Sequence, residues 1–387
     1  MAARRPSPLL LSAAHALNDG YGSFLAALLP LLIDRFGLSL AMAGLLSSIR
    51  SSAASFTQPL VGYLADQLGA RWLVLLGPAV TCSAMALLGV LPSYLAVAVA
   101  LALAGLGTAA FHPAAASLAG GFRDERRGLA VSVFSAGGTV GVALGPALIA
   151  ALVGRFGLGV TPALLIPAWV VVGLLVWRMP PVSRGAREAR LKLRRHPQVG
   201  QLARLWGISV LREFVGASYM SFLSVLWVGR GASVTLGGLS LTVFALSGAL
   251  GGVIGGRLSD RLGRRPVIVA ALLGAVPSLY LFLITDGPLS MAFLALGGML
   301  LLASNPVSVT FAQELFPEHR GVVSGLVMGF AWGVGALLIT VVGYMGDRLG
   351  LETALGMVTA FLLPAALVAA GLRAPPGKDE GPAATGP

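Results

Sequence analysis

A chain of 387 residues that is 56% hydrophobic and only 11% charged falls outside the range of soluble domains, in which about a quarter of the residues carry charge. The formal net charge of +12 would suit nucleic acid, but no basic face is free of apolar runs, which argues against that class. Cys82 is the single cysteine, so an intramolecular disulfide is excluded.

Spanning a bilayer takes about 20 predominantly apolar residues, and twelve such segments can be drawn. The first, 9–35, follows Arg4 and Arg5 and could pass for a signal peptide, but His15, Asn18 and Asp19 interrupt it, so it is expected to be an uncleaved span. The next five are 40–64, 72–91, 94–119, 127–153 and 160–178; after a polar stretch come 204–228, 235–256, 266–285, 289–314, 321–345 and 352–372. The expected organisation is an N-terminal six-helix half, 1–178, a basic linker, 179–203, a C-terminal six-helix half, 204–372, and a disordered tail, 373–387. The fold class is therefore all-α integral membrane, with twelve transmembrane helices in two pseudo-symmetric halves.

Twelve spans put both termini on one side. That side carries 21 of the Lys and Arg residues, among them most of 179–203, and the opposite side carries Arg35, Arg155, Arg230 and Arg348. The positive-inside rule makes the first side cytoplasmic, so most of the net charge is expected to encode topology. The linker could also lie on anionic headgroups.

The halves repeat one another. Gly62, Asp66, Gly69 and Arg71 recur 194 positions later as Gly256, Asp260, Gly263 and Arg265; at an offset of 193, His112-Pro113 falls on Asn305-Pro306 and Arg127-Gly128 on Arg320-Gly321. Internal repeats in a membrane chain are typical of transporters, whose site lies near the midplane where the repeats meet. The spacing Gly-x-Leu-x-Asp-x-x-Gly-x-Arg, complete from Gly256 through Asp260, Arg261, Gly263 and Arg264 to Arg265, resembles the signature loop of the major facilitator superfamily; the first copy departs from it at Gln67 and Ala70. The resemblance implies that these loops gate the cytoplasmic side, with Asp66 and Asp260 meeting the positive end of a neighbouring helix and nearby arginines.

Glycines recur every fourth residue at Gly137, Gly141 and Gly145, the last before Pro146, and again at Gly248, Gly252 and Gly256. Such faces let helix backbones approach closely. They serve either fixed packing or a moving interface; the resemblance implies that the fifth and eighth spans face each other across the halves, where smooth faces would suit rocking. Gly141 to Pro146 is similar to part of the superfamily's antiporter motif, without its double glycine after the proline.

An ionisable residue inside a span costs a few kcal/mol on insertion scales and is a functional candidate by default. Asp19, Arg50, Arg212 and Glu213 stand well inside, with His15 one turn before Asp19, Asn18 beside it, and His112 in the fourth span. Subtracting the repeat offset from Arg212 and Glu213 lands on Asp19, so a polar site is expected at equivalent positions of both halves. Asp19, His15 and Glu213 are the expected proton-coupling groups. Asn18, Asp19, Arg50, His112, Arg212 and Asn305 are the expected substrate contacts, the arginines offering a positive field to an anionic group. Whether Asp19 and Arg50 merely neutralise each other, and whether Arg212 or Glu213 faces the cavity, stays open.

His15-x-x-Asn18-Asp19, Pro30-Leu-Leu-Ile33, Gln58-Pro59-x-x-Gly62-Tyr63 and Phe111-His112-Pro113 together resemble the fosmidomycin-resistance branch of the superfamily, although Ala114 to Ala116 stand where an acidic residue often follows. The resemblance implies a bacterial inner-membrane drug exporter driven by the proton gradient, without carrying over the substrate; the leading expectation is a monomeric proton-coupled exporter of a small drug or an amphiphilic or anionic metabolite, working by alternating access. The alternative is a proton symporter importing a sugar or organic anion. A membrane-embedded enzyme fits poorly, because His-Glu-x-x-His, Gly-x-Ser-x-Gly, phosphate-binding and Cys/His metal motifs are all missing; a channel is disfavoured by the twofold repeat. Expected partners are the substrate, protons and the lipid bilayer, with no cofactor, metal or nucleic acid.

Overall fold

A computed structural model of the chain describes residues 7–58, 61, 70–120, 124–179 and 197–373. Gly62, Asp66 and Gly69 of the first signature loop, most of the 179–203 linker and all but the first residue of the tail lie outside the described residues.

The structure is all-helical, with no strand among the described residues. The first span is two helices in line, α1 (Pro8–Gly22) and α2 (Phe24–Phe36). Ser7 caps α1 by accepting from the Leu10 N–H at 3.2 Å, and Gly37, at φ 60°, ends α2 in the left-handed conformation that a side chain disfavours. α3 (Leu40–Phe56) is capped by Ser39. There follow α4 (Ala70–Leu87), α5 (Tyr94–Gly120), α6 (Asp124–Phe156) and α7 (Leu165–Arg178). The second half opens with α8 (Val199–Gly229), which begins inside the stretch expected to be linker, and continues with α9 (Val234–Leu262), α10 (Arg264–Ile284) and α11 (Gly287–Leu315). Its eleventh span is α12 (Arg320–Gly325), a π-helical turn (Leu326–Phe330), α13 (Ala331–Leu337) and α14 (Ile339–Leu349); the twelfth is α15 (Leu351–Thr359) and α16 (Leu362–Ala370).

Among the described residues, nine helical stretches are long and apolar enough to cross a membrane. The other three expected spans are α3, α4 and α8. α3 and α4 flank the undescribed stretch, and α8 carries Arg204, Arg212 and Glu213, which dilute its apolar character.

The described residues fall into two compact units. One comprises Met1–Ala189, Ala217–Leu246 and Ala336–Leu355; the other comprises Arg190–Gly216, Ser247–Gly335 and Gly356–Pro387.

In the first unit, α1 lies against α6 along the glycine ladder. A Cβ at Gly137 would run into the Ser12 carbonyl, one at Gly141 into that of Ala16, and one at Gly145 into that of Gly20. Backbone meets backbone here because there is no side chain to hold them apart. These glycines seat α6 on α1 of their own repeat, not on the eighth span as the resemblance implied. The contact between α6 and α9 is made elsewhere, where Gly238 sits on Pro146 and Ala150. The second unit repeats the device: Gly248, Gly251 and Gly255 of α9 press on Leu302, Met299 and Ala303 of α11, with Gly252 in looser contact with Pro306. The first expected face is thus packed within its unit, whereas in the second the tight contacts shift to Gly251 and Gly255, and Gly256 meets nothing within 4 Å.

Candidate functional site: a carboxylate between two histidines

Asp19 lies on α1 with its side chain 13% exposed. His15, one turn earlier, brings Nε2 to 3.1 Å from Asp19 Oδ2, and His112 of α5 brings Nε2 to 2.8 Å from Oδ1. Asn18 donates from Nδ2 to Oδ1 at 3.0 Å, while its own buried Oδ1 has no hydrogen-bond partner. The other nitrogen of His15 faces the carbonyl oxygen of Phe134 on α6 at 2.8 Å, and the Phe134 ring stacks on the imidazole at 4.2 Å between centroids. Ser12 donates to the carbonyl of Val133 at 2.7 Å and holds the same two helices in register. Pro113, directly after His112, removes one helical N–H, as Pro306 does after Asn305 in the second repeat.

The Phe134 carbonyl fixes the chemistry. A carbonyl only accepts, so His15 Nδ1 carries a hydrogen and Nε2 is the nitrogen that faces the carboxylate. If His15 is neutral, Nε2 is a bare lone pair and Asp19 must supply the proton; if Asp19 is ionised, the proton sits on Nε2. Either way the pair holds one proton between two acceptors. His112 meets the other carboxylate oxygen and satisfies it in either state.

These three residues set ligand atoms within 4.8 Å of one another, a spacing that would also admit a divalent ion. Arg50 of α3 lies within Coulombic range of both Asp19 and His112, and its fixed positive charge opposes a dication there while tolerating a proton. Among the described residues the ion pairs of Asp19 are with the histidines, so Asp19 is not simply neutralised by Arg50. Arg50 runs instead beside Gly22, whose missing Cβ leaves room for Nη1.

In the second unit Arg212 of α8 is 1% exposed and donates from Nη2 to Oδ1 of Asn305 on α11 at 3.1 Å. Glu213 Oε2 lies 3.6 Å from Arg212 Nη1, in ion-pair range but beyond hydrogen-bond distance, and Nε and Nη1 have no hydrogen-bond acceptor. Burial without a full set of partners is costly for a guanidinium. Both members of the Arg212-Glu213 pair are thus accounted for: the arginine points to Asn305, while Glu213 lies where α8 meets Gly335 of α13.

The second signature loop is built around Arg264. α9 runs through it to Leu262, and Gly263, at φ 89°, makes the turn into α10. Arg264 donates to Asp260 Oδ1 and Ser259 Oγ, both at 2.6 Å, and to Glu314 Oε1 at 3.0 Å. Asp260 thus meets a nearby arginine, as expected, one turn away on the next helix, and Arg261 and Arg265 are exposed. Arg71, from the first loop, is half-buried with Nε unpartnered.

Among the described residues, Asp347 is a carboxylate that caps a helix. Its two oxygens accept from the backbone N–H groups of Leu40, at 2.7 Å, and Ala41, at 2.9 Å, at the start of α3. Nearby, Ser48 donates to the carbonyl of Ala336 at 2.8 Å, and Gly44 and Gly343 let α3 and α14 meet backbone to backbone. The signal was present: Gly343-x-x-x-Asp347-Arg-Leu-Gly350 repeats the pattern Gly256-x-x-x-Asp260-Arg-Leu-Gly263.

The family model for the major facilitator superfamily matches residues 11–230 and 205–387. The chain is 31% identical to the fosmidomycin resistance protein of Escherichia coli K12, over 91% of each chain. It is 30% identical to YfnC, an uncharacterized MFS-type transporter of Bacillus subtilis 168, over 93% of each. Among solved structures, the occupied, inward-facing form of a bacterial homolog of the human lysosomal transporter Spinster superposes with a TM-score of 0.81 at 17% identity, over 94% of this chain and 95% of that one, a likeness of fold. With the helical fold, the internal repeat and the family match agreeing along nearly its whole length, this multi-pass membrane chain belongs to the major facilitator superfamily of transporters.

Proposed function

We propose that the chain is a proton-coupled exporter, an antiporter that moves a small drug or an amphiphilic or anionic metabolite by alternating access. The observation that carries this reading is the His15-Asp19 pair, which the Phe134 carbonyl leaves with one proton for two acceptors. The pair is neutral with its proton and carries one negative charge without it, a charge that Arg50, within Coulombic range of Asp19, would offset. Asp19 and His15 carry the proton, with Glu213 a second candidate in the other repeat. Asn18, Arg50 and His112 in the first repeat and Arg212 and Asn305 in the second are the substrate contacts. Relatedness to a fosmidomycin resistance protein favours export.

The membrane is the bacterial inner membrane and both termini are cytoplasmic, on the strength of 21 basic residues against four. The transporter works as a monomer. One proton entering down a potential of about 100 mV supplies roughly 2.3 kcal/mol, enough for an approximately fifty-fold gradient of a neutral solute.

A second reading, proton symport of an organic anion, draws on Arg212, whose unpaired Nε would welcome an anion. Direction separates the two. A thermal-shift screen of the purified protein against metabolites and antibiotics identifies a binder; everted vesicles energised to an acidic interior should then accumulate it. Accumulation in right-side-out vesicles with acid outside would favour symport instead.

A further inference from the structure

The described residues of the second unit contain a file of buried hydrogen-bond donors that have nothing to donate to. Trp206, Ser209 and Arg212 follow one another at intervals of three along α8, and each has an atom shielded from solvent and without a partner: the indole Nε1, the hydroxyl Oγ, and the guanidinium Nε and Nη1. Consecutive members are neighbours on the helix surface, and the file winds about 9 Å along the axis at ~1.5 Å per residue, turning partway round the helix between Trp206 and Arg212. A fourth unpartnered donor, Nε1 of Trp332, comes from α13. Trp332 lies one turn before Gly335, whose Cβ position would fall 2.9 Å from the Phe214 nitrogen and 3.0 Å from Glu213 Cβ, so α13 and α8 touch along this seam.

Indole and guanidinium nitrogens only donate. Buried groups of this kind are normally satisfied, and a cluster of exceptions of one sign needs an acceptor to explain it. The sequence around Trp332 is itself irregular: the π-helical turn Leu326–Phe330 immediately precedes it, and such turns are frequent at functional sites. Phe330, the last residue of that turn, stacks on Trp206 at 6.0 Å, so the donors are set among aromatic surfaces.

We infer that Trp206, Ser209, Arg212 and Trp332 form the anion-recognition site of the transporter, taking an organic oxyanion whose carboxylate, phosphate or phosphonate oxygens accept from these donors while its apolar body rests on the aromatic rings. This rests on the transporter reading above and names its substrate class and three residues not singled out by charge. Asn305 is the positioning residue: its Oδ1 holds Nη2 and leaves the other edge of the guanidinium for the ligand. Glu213, at 3.6 Å, contributes charge balance to Arg212 without occupying its hydrogen-bonding edge.

The test uses phenylphosphonate and benzoate as probes, benzamide as the neutral counterpart, and sodium chloride to equalise ionic strength, with the full-length purified protein at constant pH and melting temperature as the readout. Phenylphosphonate or benzoate should raise the melting temperature saturably while benzamide does not, and the stronger of the two identifies the head group. Trp206→Phe and Trp332→Phe keep the ring and remove only the N–H. Each should weaken binding about five-fold, the net worth of a single hydrogen bond, without lowering the melting temperature of the free protein, because the lost donor had no partner to lose. A merely structural tryptophan would do the reverse. Arg212→Gln should abolish the saturable shift; the melting assay contains no proton gradient, so the anion site stands or fails here independently of the proton reading, which gradient-driven transport tests. Equal response to benzamide, no saturable response to either anion, or wild-type affinity in both tryptophan variants would overturn the inference.

Discussion

Asp19 and Arg212 stand within one residue of equivalent positions in the two repeats, since the first-span offset of 194 carries Gly141 on the Ala16 carbonyl onto Gly335 on that of Val210 and Asp19 onto Glu213, and they carry opposite charges. Each reaches across to a residue that is also one repeat apart: Asp19 Oδ1 lies 2.8 Å from His112 Nε2, and Arg212 Nη2 lies 3.1 Å from Asn305 Oδ1. A polar contact between a repeat's first and fourth spans is thus present in both halves, made by an acid in the first and, from the neighbouring position, by a cation in the second. The first copy can exchange a proton. The second, whose guanidinium stays charged, presents a fixed cation.

The glycine ladder between α1 and α6 yields a stability prediction. A methyl group at Gly141 would meet the Ala16 carbonyl, which is backbone and has no rotamer to escape into. Gly141→Ala should destabilise the protein by about 1–3 kcal/mol, the cost of overpacking a close contact, seen as a lower melting temperature in detergent. Gly252→Ala, where the nearest atom is Pro306 Cγ at 3.8 Å, should be nearly neutral.

Asp347 offers a second. Its carboxylate satisfies two N–H groups at the start of α3 that would otherwise lack helical partners. Asp347→Ala should cost about 1 kcal/mol, the usual worth of a helix cap, and should raise the reactivity of a cysteine introduced at Leu40. Unchanged melting temperature and labelling would mean that the cap contributes nothing.

For Asp260 the expectation is kinetic. It is 65% exposed, and its partner Arg264 keeps Glu314 when the aspartate is lost, so Asp260→Asn should change stability by less than about 1 kcal/mol. Transport rate should fall more than substrate affinity, since the loop gates access and does not form the site. A loss of affinity at unchanged maximal rate would contradict a gating role.

Much of this was legible in the sequence because its signals survive without coordinates. The two repeats follow from residue spacing, the spans from apolar length, and the positions of Asp19, His112, Arg212 and Asn305 from the repeat offset. What the sequence left open depends on helix rotation. His15 shares the helix face of Asp19 whatever the packing, but whether that face meets Arg50 or His112 depends on how α1 is seated, and the structure brings it to His112. The glycine faces looked equally suited to either neighbour. Trp206, Ser209 and Trp332 gave no signal because an indole or hydroxyl in an apolar helix reads as packing until its partners can be inspected. Asp260 and Arg264 are at salt-bridge spacing, so an arginine contact there could be read from the sequence, whereas the further contact of Arg264 to Glu314 depends on the packing of α11.

The central claim is that Asp19 couples transport to protons, and the most direct measurement compares Asp19→Asn with wild type in proteoliposomes, using the binder found by the thermal-shift screen. Two fluxes are recorded: accumulation driven by a pH gradient, and exchange of labelled for unlabelled solute at equal pH. Wild type should show both. Asp19→Asn should lose gradient-driven accumulation and retain exchange, because exchange requires the carrier to reorient but not to release a proton. Undiminished accumulation in Asp19→Asn would contradict the account.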